Sequence, residues 1–117
     1  MRLLLDTHVV LWALADDDRL GPESRRVLAD DDIVRFVSAA SIWEAEIKSA
    51  IGKLRLDQDL RVVLSNTGVE PLDITWFHAQ TASRLPPLHR DPFDRMLVAQ
   101  ARCEGLTLMT ADDAIVA

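Results

Sequence analysis

Four short apolar runs, each followed by a stretch with helical spacing, constrain this chain more than any other feature. Arg2–Leu5 is almost continuously apolar and ends on Asp6, the pattern of a strand buried on both faces of a parallel sheet. Residues 33–37, 69–74 and 106–109 read as three further strands. Helices are expected over 9–15, over a segment opened by Pro22 with Val27 and Leu28 on its apolar face, and over 41–54 and 60–65. Others follow over 75–85, ended by Pro86-Pro87, and over 92–104, closed by Gly105, with a last one beginning at 111–117. Strands alternating with helices predict an α/β fold, a central parallel β-sheet of four to five strands flanked by α-helices. Ligands of such folds bind beyond the carboxyl ends of the strands. That rule selects Asp6 and the segment from Thr110 to Asp112.

A length of 117 residues suits one compact domain spanning 1–117. With 49% hydrophobic residues the chain can bury a core and is not disordered. One cysteine, Cys103, excludes an internal disulfide framework and a Cys-rich zinc site. It reads as a small apolar filler in a reducing cytosol. Charge at Arg2 and Asp6 interrupts the start too early for a signal peptide, and no apolar run is long enough to span a bilayer. The expectation is a cytoplasmic protein without a membrane partner. A net charge of −6 argues against broad electrostatic wrapping of nucleic acid, so any such role must rely on cations and a few local arginines.

The carboxylates separate once their positions are considered. Asp6 ends a strand and could simply cap the helix that follows, although its place at the sheet edge favours function. Ser41-Ile42-Trp43-Glu44 fits a capping box, which offers Glu44 a structural role. Helical spacing makes Trp43, Ile47, Ala50, Ile51 and Leu54 the expected buried stripe, with Glu44 on its edge and Glu46 facing solvent. A carboxylate at the rim of a buried face needs a partner. Asp91 before Pro92 reads as an N-cap, and is only an auxiliary candidate. Asp94 shares a helix face with Leu97, Val98 and Ala101, which solvation explains poorly. Asp112 and Asp113 lie just past the fourth strand, where capping is again plausible.

Two carboxylates about 5 Å apart repel by roughly 3 kcal/mol at an effective dielectric of 20. Three or four gathered together therefore call for a cation, and all-oxygen ligation selects Mg²⁺ or Mn²⁺ before zinc. Such an ion can activate water and bind a phosphate oxygen. The acidic cluster becomes a cation site first and a phosphodiester site second.

Four segments in order now carry a resemblance that runs essentially from end to end. They are Leu3-Leu4-Leu5-Asp6-Thr7-His8, Ser38-Ala39-Ala40-Ser41-Ile42-Trp43-Glu44, His89-Arg90-Asp91-Pro92-Phe93-Asp94-Arg95 and Gly105-Leu106-Thr107-Leu108-Met109-Thr110-Ala111-Asp112. In these the chain resembles PIN-domain ribonucleases, in particular the VapC-type toxins of type II toxin–antitoxin systems. The resemblance implies a single PIN domain and an endoribonuclease that cuts RNA by Mg²⁺- or Mn²⁺-assisted hydrolysis. It places Asp6, Glu44 and Asp94 at the core acidic positions, Asp112 at the fourth, and Thr7 and Thr110 near the site. It further implies a homodimer and a cognate antitoxin whose tail fills the catalytic groove. Relatives of this kind continue past Ala114–Ala117 to a last short strand, so a shorter sheet edge is expected here.

The remaining residues add little. His8, His78 and His89 have no zinc-site spacing. Arg90 and Arg95 flank the acidic motif and could hold phosphates, or Arg95 could pair with a carboxylate. Trp12, Trp43 and Trp76 are expected in the core or an interface rather than as stacking platforms. A signalling receiver domain would carry paired acids after the first strand and a late lysine, whereas no lysine follows Lys53. The stronger rival is a PIN-like interaction module without catalysis, whose carboxylates serve only as helix caps.

Overall fold

A computed structural model of the chain describes residues 1–87 and 91–110. Its elements are β1 (Arg2–Leu5), α1 (Thr7–Leu14), α2 (Pro22–Leu28), β2 (Val34–Ser38), α3 (Ala39–Ala50), α4 (Leu60–Ser65), β3 (Glu70–Leu72), α5 (Trp76–Arg84), α6 (Pro92–Glu104) and β4 (Thr107–Met109). Among the described residues the strands form one parallel sheet in the order β3-β2-β1-β4, flanked by helices. The expected α/β architecture is present. The expected last helix, 111–117, lies outside the described residues.

Alternation along the strands sorts the core onto two faces. Leu3, Leu5, Val37 and Met109 point to one side, where they meet Val9 and Val10 of α1 and Leu60 and Leu64 of α4. Leu4 points to the other, against Leu97 and Ala101 of α6, with Phe36 and Leu108 beside it. A third cluster, Ala82, Leu85 and Ala99, joins α5 to α6. Burial of both faces explains why β1 reads as an unbroken apolar run.

Several boundaries move, each for a local reason. Helix α1 starts at Thr7 because Asp6 caps it, its Oδ1 accepting from the Val9 N–H at 2.9 Å. Strand β3 is shorter than expected. Among the described residues it pairs only with β2, and Pro71 lacks the N–H that a longer central pairing would need. Helix α3 is capped by Ser38, whose hydroxyl accepts from Ala40 N–H at 3.0 Å, and not by Ser41. It ends at Ala50, just before Gly52 at φ +78°.

The buried face of α3 is corrected accordingly. Ala40, Ser41, Glu44 and Ala45 face inward, whereas Trp43 is 62% exposed and Ile51 61%. Trp76, at the start of α5, is also exposed, so neither Trp43 nor Trp76 belongs to the core. The helix therefore buries Ala40, Ser41 and Ala45, packs Ile42 partly against the core and leaves Trp43 and Ile47 exposed.

Candidate active site

The strand order reverses at β1: the chain steps from β1 to β2 to β3 on one side, then returns to place β4 on the other. Where neighbouring connections leave in opposite directions, a crevice opens at the strands' carboxyl ends. Asp6 and Thr110 stand there, one residue beyond β1 and β4, and the Asp6 N–H donates to the Met109 carbonyl at 3.0 Å. The adjacency on which a role for the 110–112 segment depends is thus present up to Thr110.

A cavity of about 520 Å³ occupies this crevice. Asp6, Glu44, Asp91 and Asp94 line it together, with Lys48, His8, Trp12 and Thr110 around them and Leu97, Val98 and Leu108 among its apolar walls. Two helices and a strand end bring the acids in: Asp6 from the β1–α1 junction, Glu44 from α3, and Asp91 and Asp94 from the N-cap and first turn of α6.

Glu44 is 6% exposed. The capping-box role is closed to it, because Ser38 caps the helix and Ser41 instead accepts a 3.0 Å hydrogen bond from the Thr7 hydroxyl. Its charge is met by Lys48 one turn on, with Nζ 2.8 Å from Oε2. Glutamate N-terminal to lysine at this spacing is the favourable order on a helix.

Asp91 is the N-cap of α6, its Oδ1 accepting from Phe93 N–H at 2.8 Å and Asp94 N–H at 3.1 Å. Asp94 is an exposed residue and not the inward-facing one expected, yet the desolvation it does undergo pushes its carboxyl above the ordinary aspartate value of 3.8. The negative charges of Asp91, Glu44 and Asp6 push it further, while His8 opposes them. The cavity thus carries more negative charge than its own cations balance.

Other expected site residues fall elsewhere. Thr7 is buried against Ser41 and is not part of the cavity lining. Arg95 also lies off the lining. Its guanidinium donates to the carbonyls of Ala82 (2.6 Å), Leu85 (3.0 Å) and Pro86 (3.1 Å), closing the end of α5. Arg90 and Asp112 lie outside the described residues. Sequence reasoning passed over Lys48, although its place four residues after Glu44 on one helix was the available signal.

The donors suit a hard cation, being carboxylates with a threonine hydroxyl nearby and no sulfur. Among the described residues no group of three His, Cys, Asp or Glu side chains could hold an ion directly as it stands. Mg²⁺ accommodates this, since it retains several waters and takes as few as one or two carboxylates directly. The cavity has room for such a hydrated ion, and the neighbouring charges of Asp91, Glu44 and Asp6 around Asp94 would attract it.

A parallel α/β sheet with an acid-lined crevice at its strand reversal defines the class of protein at hand. The PIN domain model matches residues 3–117, and the chain belongs to that family. A solved structure of VapBC2 from Rickettsia felis, bound to a DNA fragment from their promoter, contains a similar chain. The two share 16% sequence identity with a TM-score of 0.68, over 92% of this chain and 86% of that one. No curated protein matches. At that identity the likeness concerns the fold.

Proposed function

We propose that this protein is a metal-dependent endoribonuclease acting as the toxin of a toxin–antitoxin pair. The observation that carries the reading is the convergence of Asp6, Glu44, Asp91 and Asp94 on one cavity at the sheet's switch point in a PIN domain. Asp6, Glu44 and Asp94 would hold Mg²⁺ or Mn²⁺ together with Asp112, and Asp91 would assist. A bound ion would supply an activated water and a Lewis acid for the phosphate oxygen. The chain's own residues orient and exclude. Asp6 and Asp91 are fixed by the backbone N–H groups they accept, Thr110 borders the phosphate's approach, and Leu97, Val98 and Leu108 limit water on one wall. Arg90 is retained as a phosphate contact, while Arg95 is assigned to positioning α6 against α5.

The reading extends to partners. The solved neighbour is VapBC2 on promoter DNA, which supports an antitoxin as partner here. We further assign the chain to one cytoplasmic domain forming a homodimer. Among the described residues no helix is long and apolar enough to cross a membrane. The rival, an interaction module without catalysis, draws on the capping bonds of Asp6 and Asp91. It leaves unexplained why Glu44 and Asp94, neither of which caps a helix, face the same cavity.

The test is cleavage of a panel of transfer, ribosomal and messenger RNAs with Mg²⁺ or Mn²⁺. Asp6→Asn should abolish cleavage and any growth arrest with the fold intact, because asparagine caps a helix as well as aspartate does. Absence of cleavage by the unaltered protein across the panel, with Asp6→Asn still toxic in cells, would overturn the reading.

A further inference from the structure

We propose that Lys48 is a resident counter-ion that exchanges between Glu44 and a phosphate of the substrate as the site loads. The inference rests on the nuclease reading above and adds a residue to it.

Lys48 is the one lysine or arginine among the described residues that line the cavity. Its Nζ sits 2.8 Å from Glu44 Oε2, and the two side chains differ sharply in exposure: 34% for Lys48 and 7% for Glu44. The carboxylate is fixed in the wall, while the ammonium reaches it from the open side. Without a bound ion, a carboxylate this buried needs that partner, and the pair satisfies it. Yet the same oxygen is a donor that the cation requires. Ammonium and divalent cation on one carboxylate repel each other, and the other acids that line the cavity add the negative charge that would draw the divalent ion in. A phosphate drawn to that ion supplies the alternative anion for Nζ. Lysine suits such an exchange, being a compact charge with three donors on a flexible stem. Arginine would grip Glu44 through a planar fork and release it less readily.

The pair thus does two jobs in sequence. It neutralises Glu44 while the site is empty, and it delivers a positive charge to the substrate once the cation has taken the carboxylate. In this scheme Lys48 competes with metal and cooperates with RNA, a combination that a purely structural helix pair does not produce.

Mn²⁺ binding, followed by electron paramagnetic resonance and by the metal-induced rise in melting temperature, tests the first half. Lys48→Gln should bind Mn²⁺ about tenfold more tightly than the unaltered protein, and Lys48→Arg more weakly. Lys53→Gln, outside the cavity, serves as the charge control and should change little. Cleavage of a single-stranded RNA tests the second half. Lys48→Gln should raise KM about tenfold with kcat changed far less, and lower the salt dependence of log KM by roughly 0.7, one phosphate contact on a single strand. Should Lys48→Gln fail to fold, the weaker Mn²⁺ binding of Lys48→Arg still decides the matter. Equal Mn²⁺ affinity in all these proteins, or an unchanged KM and salt slope, overturns the exchange while leaving the nuclease reading intact. If the unaltered protein neither binds Mn²⁺ nor cleaves RNA, it is the underlying reading that fails.

Discussion

Asp94 is the residue on which the electrostatics of the cavity are most visible. Burial first, then Asp91, Glu44 and Asp6, raise its folded-state pKa above the ordinary 3.8. For a group shifted in that direction, the favourable contribution is complete below the unfolded value and is lost as pH rises through the folded one. Near neutral pH the metal-free fold is therefore strained at this carboxylate. Asp94→Asn should raise the melting temperature of the metal-free protein at pH 7, by a few degrees at most given solvent screening at its exposed edge. The difference should shrink below pH 4, and the variant should gain less from Mg²⁺ than the unaltered protein does. A lower melting temperature for the variant at pH 7 would contradict this account. Asp94 and Asp91 were readable because Pro92 fixes the helix start, and with it the face each residue occupies. Glu44 was singled out for the wrong geometric reason. It was placed on the rim of a stripe through Trp43 and Ile51, which the structure leaves exposed, whereas it is buried on the face of Ser41 and Ala45.

Elements carry their own punctuation, unevenly. Helix α6 is bounded by Asp91-Pro92 and by Gly105 in the left-handed region at φ +67°, both visible in the sequence. A Cβ at Gly105 would meet no atom within 4 Å, so substitution there strains backbone alone. Gly105→Ala should cost about 1 kcal/mol in urea unfolding with no change in activity. A neutral result would mean the turn relaxes into another conformation. In α3 the same logic misled. Its large side chains at Trp43, Ile47 and Ile51 suggested the buried stripe, but the buried face is made by Ala40, Ser41, Glu44 and Ala45. Small residues at a crowded contact carry almost no hydrophobic signal. Another concealed fixture is His78, 1% exposed, which closes a capping box with Thr75 and lies 2.8 Å from Glu104, tying α5 to the far end of α6. Scattered histidines give no hint of such pairing, which spans twenty-six positions.

For the molecule as a whole, two hydrophobic clusters share one sheet. Leu3 lies in one and Leu97 in the other, each essentially inaccessible. Because β1 contributes to both, neither side should unfold alone. Leu3→Ala and Leu97→Ala should each cost about 2–5 kcal/mol, with tryptophan fluorescence and far-ultraviolet circular dichroism reporting one coincident transition. Separated transitions would show two cooperative units instead of one. The α/β class was legible because period-2 and helical spacings alternate cleanly along the chain. The strand order was not, since pairing between distant strands leaves no local mark.

That order has a consequence for how the protein comes into being. β1 lies between β2 and β4, so the strand made first receives its second neighbour from the strand made last among those described. During translation the chain emerges N-terminus first, and Asp6 leaves the ribosome long before Asp94 or Thr110 exists. A nascent chain therefore carries Asp6, and then Glu44 and Lys48, through much of its synthesis without the wall that Asp91, Asp94 and Thr110 complete. Whatever this protein does with that cavity, the cell is spared it until the ribosome has passed Thr110.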